Sequence, residues 1–187
     1  AGQFDAMAVG PGLGAAERQA GDDFLELIER VKTPLVIDAD GLNRIAAAGL
    51  ENYIGPNTVL TPHPGEMARL FPQWASMGRL DAARAFADSY DGATLLLKGA
   101  RTLVARSGFP VYLNGTGTPG MASGGQGDVL TGVIVSLLAQ GLEPHDAARC
   151  GAWLCGRAAE LAISHGNASV QSLLAGAVCN WLGRAFR

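Results

Sequence analysis

A chain of 187 residues, 48% apolar and 17% charged, is long enough to bury one sizeable core and suits a single domain over residues 1–187. A net charge of −3, with Lys32 and Lys98 the only lysines and no basic block, argues against a nucleic-acid partner. The longest apolar runs, such as residues 129–139, are too short to span a bilayer and follow no basic leader-like start. The expectation is a cytoplasmic protein, off the membrane, with a small molecule as its partner. Cys150, Cys155 and Cys179 are an odd number in apolar helical sequence without CxxC spacing. They are expected to be small buried thiols of a reducing compartment, with neither zinc nor a disulfide framework.

In chain order, short β-like runs at 4–10, 34–39, 57–62 and 93–99 alternate with segments of helical period at 15–31, 64–71 and 79–90. Such alternation predicts βαβ units and a mostly parallel sheet with helices on both faces. Residues 102–114 read as two strands around a Ser-Gly turn, and helices are predicted over 126–140, 144–165 and 169–185. The chain enters a strand almost at once, so it is expected to begin partway through a larger fold.

Four turns carry the chemistry. The first, VGPGLGAAE at 9–17, follows a strand, and Gly10-x-Gly12-x-x-Ala15 satisfies a dinucleotide fingerprint. Pro11 removes a donor from that turn, and the next strand end offers Asp38, Asp40 and Asn43, more polar groups than ribose recognition requires. In the second, TPHPGEMARL at 61–70, Pro64 and Glu66 suit the first turn of a helix. Prolines on both sides of His63 fix its backbone at the carboxyl end of a strand, the edge where open α/β sheets bind ligands. The third, LLLKGART at 95–102, ends a strand in Lys98 and reads as a contact to phosphate or adenine.

The fourth turn is GMASGGQGDVLTG at 120–132. Gly120, Gly124, Gly125 and Gly127 free the backbone to present N–H groups, and the helix that follows adds the positive end of its dipole. With an anion held by the backbone, Asp128 is free to take the proton of a hydroxyl attacking a phosphoryl group. The bland alternative makes Asp128 a helix cap, which explains the acid but not the glycines. No Walker-type G-x-x-x-x-G-K-[ST] occurs.

In this order and spacing VGPGLG, PLVIDADGLN, TPHPGEMARL, LLKGART and GMASGGQGDVLTG resemble the bacterial ADP-dependent NAD(P)H-hydrate dehydratases of the ribokinase-like superfamily, from Val9 to about Leu161. The resemblance implies a ribokinase-like fold lacking about its first third, and a lyase that repairs hydrated NAD(P)H. ADP (or ATP) would phosphorylate the ring hydroxyl, and phosphate would then leave. It also implies Asp128 as base and substrate contact, Gly12, Gly14 and His63 on the substrate side, and Lys98, Gly99, Ala100, Arg101, Thr102, Gly124, Gly125 and Gly127 around the nucleotide. Mg²⁺ would accompany the phosphates, with no metal site of the protein's own. Asp40 and Asn43 are expected to orient substrate or metal-bound water. A homo-oligomer, and an upstream segment or fused epimerase domain, are the macromolecular partners the resemblance allows. The competing readings are a small-molecule kinase of the same fold, a nucleotide-binding module without turnover, and a Rossmann oxidoreductase, which leaves GGQGD and TPHPGE without a role.

Overall fold

The computed structural model describes residues 4–14, 18–49 and 52–187. Its six-stranded sheet has the order β1 (Met7–Val9), β2 (Leu35–Ile37), β3 (Thr58–Leu60), β4 (Thr94–Leu97), β5 (Leu103–Ala105) and β6 (Tyr112–Leu113). The first four strands pair in parallel, and the β4–β5 and β5–β6 pairings are antiparallel. Helices α1 (Arg18–Arg30), α2 (Ala39–Ala48), α3 (Pro64–Leu70) and α4 (Arg79–Ser89) belong to the crossovers between parallel strands. The remaining helices, α5 (Gln126–Ala139), α6 (Pro144–Ser164) and α7 (Ala175–Ala185), follow the sheet.

Alternation along the buried strands divides the core in two. Val36, Val59, Leu96 and Val104 point to one face and pack with Leu130 and Ile134 of α5, the alanines of α6 and Val178 of α7. Their neighbours Leu35, Ile37, Leu60, Leu95 and Leu97 point to the other, under Phe24 and Ile28 of α1, Leu42 and Ile45 of α2, Met67 of α3 and Phe86 of α4. Strands covered on both sides need no polar face, which is why they read as continuous apolar runs. Mostly parallel pairing with both faces covered is the architecture that the sequence predicts.

Three expectations are corrected. Residues 39–48 form α2, where the sequence predicts no helix; only Leu42 and Ile45 supply its large apolar side chains, and Asp40 and Asn43 on its first turns look like loop chemistry. The last helix starts at Ala175 instead of residue 169, after a turn in which Ser169 and Ser172 bond to one another. Of the cysteines only Cys155 is buried, on α6 facing the core, whereas Cys150 and Cys179 are exposed. Burial, with Cys179 nearby, pushes the Cys155 thiol up to about 12. Ala15, the last position of the dinucleotide fingerprint, lies outside the described residues.

Candidate active site

Four parallel strands deliver their following residues to a single edge: Gly10 after β1, Asp38 after β2, Thr61 to His63 after β3 and Lys98 after β4. Helix α5 brings its N-terminus to the same edge, because the Thr131 hydroxyl in its second turn donates to Asp38 Oδ2 at 3.0 Å. The turn ahead of α5 closes on Gly125, whose left-handed backbone (φ 83°) is the helix N-cap. Asp128 is therefore the third residue of the helix and not its cap. Its side chain is exposed, and its carboxylate makes no hydrogen bond or ion pair to the described residues.

Asp128 lines an open cleft of about 450 Å³ together with Gly10, Pro11 and Leu13 of the first glycine turn, Phe24 and Leu27 of α1, and Thr131. Gly12 (φ 75°) and Gly14 (φ 69°) have left-handed backbones, and a methyl group added at either would meet nothing within 4 Å. Their glycines thus serve backbone shape and an open face. Helix α2 holds that turn from behind: Asp40 Oδ2 accepts from the Gly14 amide at 2.8 Å, and the Arg44 guanidinium donates to the carbonyls of Leu13 (3.1 Å) and Gly14 (3.4 Å). Asn43 Oδ1 accepts from Arg69 at 3.0 Å, tying α2 to α3. Asp40 and Asn43, expected to orient substrate or metal-bound water, each accept one hydrogen bond within the fold, from the Gly14 amide and from Arg69.

Beneath the first turn of α5 lies a row of charged groups. Lys98 Nζ is 2.7 Å from Asp38 Oδ1 and 3.8 Å from Glu66 Oε2, and Glu66 Oε1 is 3.4 Å from His63 Nε2. The Asp38 and Glu66 side chains are only 2% and 7% exposed, so one ammonium serves two desolvated carboxylates. A methyl added at Gly127 would lie 3.4 Å from Lys98 Nζ and 3.5 Å from Asp38 Oδ2, which places the pair directly against the glycine turn.

His63 closes a capping box on α3. Its Nδ1 accepts from the amides of Gly65 (2.9 Å) and Glu66 (3.3 Å), and Glu66 Oε2 accepts from the His63 amide at 2.8 Å. Nδ1 therefore carries a lone pair, and the neutral ring keeps its proton on Nε2, toward Glu66. Both ring nitrogens are engaged, and the side chain is 52% exposed. The Asp128 helix is linked to His63 through Thr131, Asp38, Lys98 and Glu66.

Lys98 also parts company with the four residues after it. Gly99 (φ 141°), Ala100, Arg101 (φ 57°) and Thr102 form an outward turn, and Arg79 donates to the carbonyls of Ala100 within it (2.6 Å) and of Lys98 before it (3.4 Å). Gly124 and Gly125 are exposed at the head of α5. The sequence shows Asp38 as a polar group at the end of a buried strand but assigns it no role; Thr131 and Arg79 lie in helices and carry no sequence signal. Among the described residues no group of three His, Cys, Asp or Glu could hold a metal ion.

A largely parallel sheet, with a glycine-opened helix bringing an unpaired carboxylate to its carboxyl edge, defines a ribokinase-like α/β protein. A ribokinase-like superfamily protein of Enterococcus faecalis superposes with a TM-score of 0.78 at 25% identity, over 97% of this chain and 63% of that one. Residues 1–179 match the NAD(P)H-hydrate dehydratase family, and the chain belongs to it. It is 39% identical over 187 residues to the ADP-dependent (S)-NAD(P)H-hydrate dehydratase of Neisseria meningitidis, covering 96% of this chain and 63% of the relative. The bifunctional NAD(P)H-hydrate repair enzyme of Moorella thermoacetica is 48% identical over 163 residues, 84% of this chain and 30% of its own length. The ADP/ATP-dependent dehydratase of Bacillus subtilis, co-crystallised with ATP and Mg²⁺, gives a TM-score of 0.75 at 29% identity over 97% of this chain and 64% of that one. The chain thus spans between 30% and 63% of these two curated relatives.

Proposed function

We propose that this chain carries the nucleotide-dependent dehydration of hydrated NAD(P)H, with ADP as the phosphoryl donor. The observation that supports it best is Asp128: an exposed carboxylate without a partner, at the head of a glycine-opened helix, across a cleft from the open Gly10–Gly14 turn. The substrate's ring hydroxyl attacks the terminal phosphoryl group of ADP; the new O–P bond forms as the bond to AMP breaks, and Asp128 accepts the hydroxyl proton. Phosphate then leaves with its ring oxygen, a proton is lost, and the double bond returns. Backbone amides ahead of α5 and the helix dipole stabilise the charge that develops on the moving group.

In this reading Gly12, Gly14 and His63 bound the substrate side, and Gly99 to Thr102 with Gly124, Gly125 and Gly127 the nucleotide side. Lys98 adds positive charge from beneath. Mg²⁺ fits as a companion of the nucleotide, held through phosphates and waters, because the buried carboxylates nearby, Asp38 and Glu66, are already engaged by Lys98, Thr131 and His63. When bound it neutralises phosphate charge. Free cysteines, two of them exposed, suit a reducing cytoplasm, and no helix among the described residues is long and apolar enough to cross a membrane.

The test is recovery of reduced-nicotinamide absorbance from hydrated NADPH with Mg²⁺ and ADP. Wild type restores it with one AMP released per turnover, and Asp128→Asn slows it by about 10²- to 10⁴-fold. Equal rates for the two proteins dismiss the base, and a phosphorylated product that accumulates makes the chain a kinase.

A further inference from the structure

We propose that Thr131 and Asp38 are positioning residues that lock the helix bearing Asp128 to the Lys98 ammonium, so that base and positive charge are held in one register. The proposal rests on the reading of Asp128 given above. Asp38 spends each carboxylate oxygen on a different element: Oδ1 on Lys98 at the end of β4, Oδ2 on the Thr131 hydroxyl in α5, at 2.7 and 3.0 Å. It can do so because it is the first residue past a fully buried strand against which α5 packs, and Thr131 is 4% exposed. Thr131 follows Asp128 by three residues, so the two share a helix face, and both line the cleft. A rotation of α5 that carried Asp128 away from the cleft would break the Thr131 bond first.

The arrangement also limits Lys98. A lysine at a strand end free to swing would follow any phosphate, whereas this one is tethered beside Gly127 by a buried carboxylate that is itself tethered to the helix. Catalysis gains from such a tether because misplacing a reacting group by an ångström costs far more rate than affinity.

Thr131→Val removes the hydroxyl at nearly constant volume, and Thr131→Ser restores it. Two readouts on the 187-residue chain separate this proposal from the functional reading. The first needs no turnover: Lys32 and Lys98 are the only lysines, so competitive acetylation followed by peptide mass spectrometry reads Lys98 against Lys32 as an internal standard. Thr131→Val and Asp38→Asn are expected to raise the Lys98 to Lys32 labelling ratio at least about threefold and Thr131→Ser to leave it at the wild-type level; an unchanged ratio in Thr131→Val overturns the coupling. The second is kinetic: Thr131→Val lowers kcat about 10- to 100-fold with the KM for ADP within about twofold, and Thr131→Ser recovers it. Full kcat in Thr131→Val, or no rescue by serine, overturns the positioning role. Wild type without turnover defeats the assignment of the reaction instead, and the labelling ratio then decides the coupling alone.

Discussion

Lys98 Nζ sits 2.7 Å from Asp38 Oδ1, joining the ends of two strands that are not neighbours in the sheet, since β3 runs between them. Both side chains are largely removed from water, so each depends on the other for compensation. Lys98→Met leaves Asp38 a desolvated charge and is expected to cost about 2–4 kcal/mol in urea unfolding, the partial exposure of the lysine keeping it below a fully buried pair. The double variant Lys98→Met with Asp38→Asn should cost less than the sum of the singles by at least about 1 kcal/mol. Strict additivity would mean that the pair does not interact.

Gly127 separates stability from activity. Its backbone is helical, so Gly127→Ala improves local propensity, and the new methyl meets Lys98 and Asp38 at ordinary contact distance. The variant is expected to melt about 1–2 °C above wild type in calorimetry and to turn over more slowly, because the methyl covers the ammonium. A variant that is equally active would show that the ammonium need not be exposed to the glycine turn.

The glycines of the first turn differ in kind. A methyl at Gly10 (φ 125°) would lie 1.8 Å from the Asp38 carbonyl oxygen, inside the contact between the ends of β1 and β2. Gly10→Ala is expected to lose at least about 4 kcal/mol and to appear in the insoluble fraction. Gly12→Ala meets nothing within 4 Å and bears only the strain of a left-handed alanine, about 1 kcal/mol. It should fold, by circular dichroism, and raise the KM for the hydrate.

His145 sits away from this site, its ring tilted against that of Phe109 in the β5–β6 turn with centroids 4.7 Å apart, and neither ring nitrogen is hydrogen-bonded. Burial first, then the Arg149 and Arg106 charges, hold its pKa below the usual 6.5, against the opposing pull of Asp146. The unfolded chain takes up a proton below that value and the folded chain resists it, so this part of the stability is whole above pH 6.5 and declines as the pH falls. Chemical denaturation at pH 7.5, 6.5, 5.5 and 5.0 is expected to show that decline in wild type and a shallower one in His145→Leu. Identical slopes would remove His145 as its source.

Much of this molecule was legible from periodicity alone. The alternation of buried runs and amphipathic segments specifies β1–β4 with helices α1, α3 and α4, since strands covered on both faces are largely apolar. The glycine turn before α5 and its single acid were likewise visible, because dihedral freedom and helix polarity are local properties. Helix α2 was not, as two apolar residues make a weak stripe and its stability comes from packing against the sheet.

What only the tertiary structure decided is how the polar residues are spent. Sequence marks Asp38, Asp40, Asn43, His63, Lys98 and Asp128 as chemically able, and says nothing about which of them find partners in the fold. Asp40 goes to the Gly14 amide, Asn43 to Arg69, His63 to the cap of α3, and Asp38 to Lys98 and Thr131. These contacts join residues 26 to 93 apart in sequence in all but the helix cap, distances over which only the packed sheet sets geometry. Asp128 alone of these carboxylates is left without a partner, because the turn that opens its helix aims it into the cleft while the fold satisfies the others.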